Sequence, residues 1–175
     1  SPRDLYYFAN ELKDHGFFEE AVQYYRQFLD GNRGWVEDNI EACMKMADCL
    51  GQLDRREEQE LALLRSFLYD APRAECLCRL GYLHMEKNDY ERAIQWYEMA
   101  TQLEKPANQL AMTNSAAWTW LPHIQLCVCY DRLGDYRKAK LHNDIGLSYE
   151  PDHPALLYNK RYLEEKLRAL EADGN

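Results

Sequence analysis

Three stretches of the chain set apolar and polar residues on one template: HGFFEEAVQYYRQF (15–28), KNDYERAIQWYEMA (87–100) and LGDYRKAKLHNDIG (133–146). Each opens on a turn carrying Gly16, Asn88 or Gly134. An aromatic follows two residues later (Phe18, Tyr90, Tyr136), and an alanine three after that (Ala21, Ala93, Ala139). Tyr25, Tyr97 and Asn143 lie four residues beyond the alanine, and Phe28, Ala100 and Gly146 seven beyond, all on one face of a helix. Upstream of each turn stands an apolar-small pair, Phe8-Ala9, Leu80-Gly81 and Leu126-Cys127, followed three residues on by Leu12, His84 and Tyr130. Small residues let two helices approach closely where they cross, so each stretch predicts the second helix of a helical hairpin and its upstream pair the first.

A fourth, degenerate unit lies between the first two clear ones. Residues 43–72 supply Ala47, Leu50, Leu64, Phe67 and a closing Pro72, but lack the turn aromatic and the alanine. Its second helix is therefore expected to be shifted in register. Ala47 and Gly81 are 34 residues apart, as are Pro72 and Pro106, which is a repeat period and not chance similarity. Ala93 to Ala139 is 46 residues, and the excess falls in 104–120, an expected helix extension or loop; 30–39 lengthens the first connection. Residues 150–167 predict one terminal helix with Pro154 in its first turn and Leu157 and Tyr162 on its apolar stripe, covering the last repeat.

With LGYLHMEKNDYERAIQWYEMA (80–100) and LCVCYDRLGDYRKA (126–139), the chain resembles the tetratricopeptide repeat (TPR) family. The resemblance implies an all-α, TPR-type α-solenoid of about four hairpins (3–31, 38–71, 73–104 and 118–150) with a capping helix near 153–170.

Composition narrows the function. Hydrophobic residues at 46% argue for a packed core despite 29% charged residues. A formal charge of −9 without any Lys/Arg-rich run speaks against nucleic acid, and no apolar stretch is long enough to insert in a bilayer. The chain opens without Met and without a signal-peptide pattern, which suggests a piece of a longer protein.

Six cysteines include two Cys-x-Cys pairs, Cys76/Cys78 and Cys127/Cys129. Residues two apart on a helix point about 200° away from each other, so neither pair faces one metal together. Reduced cysteines packed in a cytoplasmic helical protein are expected. The five histidines lack metal-ligand spacing, and no phosphate loop, nucleophile elbow or Asp-x-Asp is present. No catalytic residue, metal or cofactor is expected in this segment.

What remains is the concave face, formed in TPR arrays by the first helix of each hairpin. It is expected to carry Tyr6, Asn10, Lys13, Met44, Asp48, Arg73, Glu75, Cys78, Arg79, Tyr82, Gln125 and Asp131. Some TPR domains clamp a C-terminal carboxylate there with Lys, Arg and Asn. Tyr6 and Glu75 occupy lysine positions of that clamp, and an acid facing a carboxylate is repulsive. Trp118 and Trp120 precede Pro122 and are expected either to wedge the insertion against the core or to anchor a partner.

A narrower resemblance rests on HGFFEEAVQYYRQFL, YDAPRAECLCRLGYL, WTWLPHIQLCVCYDRLGDYRKAKLHN and YNKRYLEEKL. Together these are similar to the TPR region that follows the catalytic domain in some bacterial family 2 glycosyltransferases. It implies a non-catalytic module that binds a protein or peptide acceptor or forms a homodimer; the alternative is a free-standing adaptor binding a protein tail.

Overall fold

The computed structural model describes residues 1–107 and 114–174, and these contain helices and turns only. The chain divides into two compact units, Ser1–Pro72 and Arg73–Asn175.

The first unit holds α1 (Pro2–Asp14), α2 (Phe18–Asp30), α3 (Val36–Gln52), α4 (Arg56–Arg65) and a 3-10 turn at Ser66–Leu68. The second holds α5 (Ala74–Glu86), α6 (Tyr90–Thr101), a 3-10 helix at Ser115–Trp118, α7 (Leu121–Arg132), α8 (Tyr136–Tyr149) and α9 (Pro154–Asp173). Within each unit, consecutive helices pack as antiparallel neighbours.

One residue with positive φ reverses the chain in every hairpin: Gly16 (81°), Asp54 (56°), Asn88 (58°) and Gly134 (79°). Glycine takes this conformation without steric cost, and Asn or Asp tolerates it. Asp89 and Asp135 then cap α6 and α8 by accepting from the backbone N–H of Arg92 and Lys138. Seven residues before each positive-φ residue stand Ala9, Ala47, Gly81 and Cys127, all buried.

The expected register shift in the second hairpin does not occur. Asp54 occupies the turn position, which puts Arg56 in the aromatic slot, Gln59 in the alanine slot, and Leu63 and Ser66 in the two buried positions beyond. Room for the long Gln59 side chain comes from α3. An ideal Cβ on Gly51 would lie 2.7 Å from Gln59 Nε2, so a small residue has moved from one helix of the pair to the other. Ion pairs also tie α4 to α2: Arg26–Glu58 at 2.9 Å, and Arg65–Asp30 at 2.9 Å. Both are solvent-exposed in part, so screening leaves each a minor contributor to stability.

In the second unit α6 ends at Thr101, and residues 103–106 have no regular structure, so the insertion does not extend that helix. Its residues 108–113 lie outside the described residues. The chain re-enters at the 3-10 helix, which packs on α5, α6 and α7. At the far end, α9 covers α8 with Leu156 and Leu163, both fully buried. The buried Asn143 Nδ2 donates to the Leu156 carbonyl at 2.8 Å, fixing the start of α9 on α8.

Candidate functional site

In the first unit the expected surface residues divide. Tyr6 is only 4% exposed: it belongs to the core, against Tyr25 and Phe28, and not to an open face. The phenol of Tyr6 donates to Glu41 Oε2 (2.7 Å) and accepts from Lys45 Nζ (3.2 Å). Asn10 Oδ1 accepts from Tyr25 Oη at 2.6 Å and from Lys45 Nζ at 3.2 Å. Lys45 also pairs with Glu41 at 3.2 Å, one helical turn back on α3. Burial raises the Tyr6 and Tyr25 phenols far above their ordinary range. Burial pushes Glu41 up as well, but the Tyr6 hydroxyl and Lys45 outweigh it and hold the carboxyl below its usual value. The positive charge nearest Asn10 is thus already balanced, which removes the simplest basis for gripping a free carboxylate. Lys13 and Asp48 are half-buried, and Met44 is buried.

In the second unit Glu75 is the main departure from expectation. It is 6% exposed, where the sequence set it on a face open to solvent or a partner. Its Oε1 accepts from the Trp118 indole N–H at 2.8 Å and from the Asn114 backbone N–H at 3.2 Å. The 3-10 helix within the insertion therefore covers the start of α5, and Glu75 is the acceptor that anchors it. Cys78 Sγ, one turn further along α5, lies 3.8 Å from the Ala117 carbonyl on the same 3-10 helix. Trp118 is half-buried on the 3-10 helix that packs on α5, α6 and α7, and the Trp120 ring lies tilted by 50° against His153 with ring centroids 4.9 Å apart.

Beyond that cover the α5 stripe opens. Glu75, Arg79 and Tyr82 recur at four and three residues and so share one helix face. Arg79 is half-buried and Tyr82 is 52% exposed. Arg73, at the N-cap of α5, and Gln125, on α7, are half-buried. Asp131 accepts from Tyr162 Oη of α9 at 2.9 Å, which engages it inside the fold.

None of the six cysteines forms a disulfide, and all six are buried. Burial pushes the thiols of Cys78, Cys127 and Cys129 up to about 12 and that of Cys49 to about 11, the reverse of an activated nucleophile. Among the described residues no cluster of three or more His, Cys, Asp or Glu is arranged for a metal ion. Sequence reasoning missed Glu41 and Lys45, although their spacing of four on α3 marks them as a side-chain pair. It also missed the contact between His123 and His142, which are 19 residues apart and meet across the hairpin.

A family model for the tetratricopeptide repeat matches residues 74–106. No curated protein matches the chain. Among solved structures, the MamA protein superposes with a TM-score of 0.70 at 17% identity, covering 94% of this chain and 81% of that one. The apo form of RapI gives 0.72 at 15% identity, covering 96% and 49%. PilF of Pseudomonas aeruginosa gives 0.67 at 15% identity, covering 96% and 69%. Identities this low speak for fold alone. With the 74–106 match and the hairpins above, the fold is all-α and of the TPR α-solenoid type, four hairpins and a C-terminal capping helix.

Proposed function

We propose that the chain is a non-catalytic module that binds a protein or peptide along the first helices of its hairpins. The observation that carries this is the α5 face of the second unit. There an exposed aromatic, Tyr82, continues a stripe whose other end is held by the Glu75–Trp118 hydrogen bond. Exposed aromatic and arginine side chains on a rigid scaffold are the residue types that carry most binding energy in protein interfaces. Arg73, Arg79, Tyr82 and Gln125 are the proposed contacts in this unit, and Asn10, Lys13 and Asp48 in the first. A photo-crosslinking residue at Tyr82 is expected to trap the partner, and one at the exposed Leu141 of α8 is not. The double substitution Arg79→Ala with Tyr82→Ala is expected to weaken capture about tenfold, roughly 1.4 kcal/mol. Equal trapping at both positions overturns this assignment.

The four segments similar to family 2 glycosyltransferases support a finer reading, in which this module belongs to such an enzyme of bacterial origin. It would present an acceptor or join two copies. A reading frame without a nucleotide-sugar domain upstream of Ser1 overturns that reading and leaves the free-standing adaptor. Self-association is supported by a groove between the start of α1 and the end of α2, whose apolar lining includes Leu5, Phe8 and Phe28 beside Asp4 and Arg33. Light scattering at high concentration tests for the homodimer, and a monomer refutes it. Six cysteines without a disulfide suit a reducing compartment and support a cytoplasmic location. Among the described residues no helix is long and apolar enough to cross a membrane.

A further inference from the structure

Two buried histidines of the fourth hairpin take no part in the face described above. His123 lies in the first turn of α7 and His142 midway along α8, each 8% exposed. Their Nδ1 atoms are 3.0 Å apart. His142 Nε2 is 3.2 Å from Glu98 Oε1 on α6, and the same oxygen accepts from Tyr130 Oη at 2.9 Å. The Tyr130 ring lies nearly parallel to His142 (8°, centroids 5.6 Å apart), and Tyr149 stacks on His123 at 6.4 Å. Three helices of one unit are thus joined through a single chain of ring nitrogens, carboxylate and phenol.

The proton count of this chain is constrained. An ionised carboxylate only accepts, so His142 carries hydrogen on Nε2. Neutral His142 then accepts at Nδ1, and His123 donates from Nδ1. One further proton is tolerated: His142 becomes an imidazolium that donates to both Glu98 and His123, whose remaining hydrogen moves to Nε2. A second added proton has no place, because two N–H groups and two positive charges would face each other across 3.0 Å.

Burial outweighs the one carboxylate that faces the pair. Burial and the charge of His142 hold His123 down at about 4, with Glu98 opposing. Burial also lowers His142, against the pull of Glu98 and with a small push from Lys138 of α8. Lys138 itself sits 5.4 Å from the Tyr130 ring centroid, and Lys105, after α6, sits 6.0 Å from that of Tyr149. Tyr162 of α9 engages Asp131, and His153 at the N-cap of α9 lies tilted against Trp120, so neither supplies a counter-charge to the pair.

We propose that His123 and His142 form an acid-opened latch: a second proton breaks the Nδ1–Nδ1 bond and frees the first turn of α7 from α8. That turn directly follows Trp118 and Trp120, so opening loosens the aromatic segment that covers α5. Both histidines have lowered values in the fold, whereas an open or unfolded chain protonates them near the ordinary value of about 6.5. The open state therefore binds more protons, and the latch is fully closed above about pH 6.5 and lost as pH falls toward about 4.

Hydrogen exchange of the full chain at pH 7.0, 6.0, 5.0 and 4.5, corrected for intrinsic rates, tests the latch. Protection across 115–128 is expected to fall at least tenfold more than in α1 and α2 between pH 7.0 and 4.5. The substitution His123→Asn keeps an amide N–H near the Nδ1 position but cannot titrate, and is expected to flatten that response. If this variant does not fold, imidazole nitrogen NMR of the unmodified chain decides. His142 is expected to titrate before His123, and His123 with a midpoint below 5. Titration of His123 near 6.5, or an unchanged pH response in His123→Asn, overturns the proposal.

Discussion

Gly81 offers a prediction whose sign depends on the tertiary structure. Replacing a mid-helix glycine with alanine ordinarily stabilises a helix by about 1 kcal/mol, because the unfolded chain loses conformational freedom. At Gly81 the new Cβ would lie 2.6, 2.7 and 2.8 Å from Cε2, Cζ and Cδ2 of Tyr97. Carbon atoms rest about 3.5–4.0 Å apart, so the ring must retreat by nearly 1 Å. Tyr97 is fully buried between helices and has no open side to retreat into. Overpacking of this kind costs about 1–3 kcal/mol, and three contacts on one rigid ring place it toward the upper end. Net destabilisation of Gly81→Ala is therefore about 1–2 kcal/mol. Urea denaturation followed by circular dichroism is expected to show a lower midpoint with an unchanged slope. Adding Tyr97→Leu removes the obstructing ring, so the double variant should lose at least about 1 kcal/mol less than the sum of the single changes. A Gly81→Ala protein as stable as its parent, or strict additivity in the cycle, refutes the close-crossing explanation of this slot.

Three further outcomes are expected. Trp118→Phe deletes the indole donor to Glu75 and should cost about 1.5–3 kcal/mol, the range for a hydrogen bond to a charged group, with exchange accelerated at 114–120; unchanged stability would contradict the anchoring role. Asn143→Ala removes the buried amide that donates to the Leu156 carbonyl, costing about 1–3 kcal/mol and hastening proteolysis within α9; a resistant α9 would show that Leu156 and Leu163 alone hold it. In the native chain the thiols of Cys78, Cys127 and Cys129 should react with a disulfide reagent far more slowly than in denaturant, since burial pushes them up to about 12. Prompt reaction at pH 7.5 would place them at a surface.

How far the fold was legible follows from what repeats. The turn glycines and Asn88, the small residues at the crossings, and Tyr25, Tyr97 and Asn143 opposite them recur at fixed spacing. A hairpin needs those residue types at those positions whatever the rest of the chain does. The second hairpin was legible only in part, because its compensation lies across two helices. Gln59 departs from the pattern, and Gly51, four residues past the usual small slot at Ala47, is not compared with it until the helices are set side by side.

The candidate site divides the same way. Periodicity alone says which residues share one face of a helix, since 3.6 residues per turn decides which side chains point together. It did not settle which of them meet solvent. Tyr6 is enclosed by Tyr25 and Phe28, while Glu75 is covered by the 3-10 helix from a segment outside the repeat. Nor did it reveal the chain from Tyr130 through Glu98 to the two histidines, whose members meet only when α6, α7 and α8 pack. The sequence by itself therefore determined the hairpins, their turns and their inward faces, which are local and periodic properties. Exposure, polar partners and proton-binding behaviour were decided by the tertiary structure, because each depends on which distant segment comes to lie against that face.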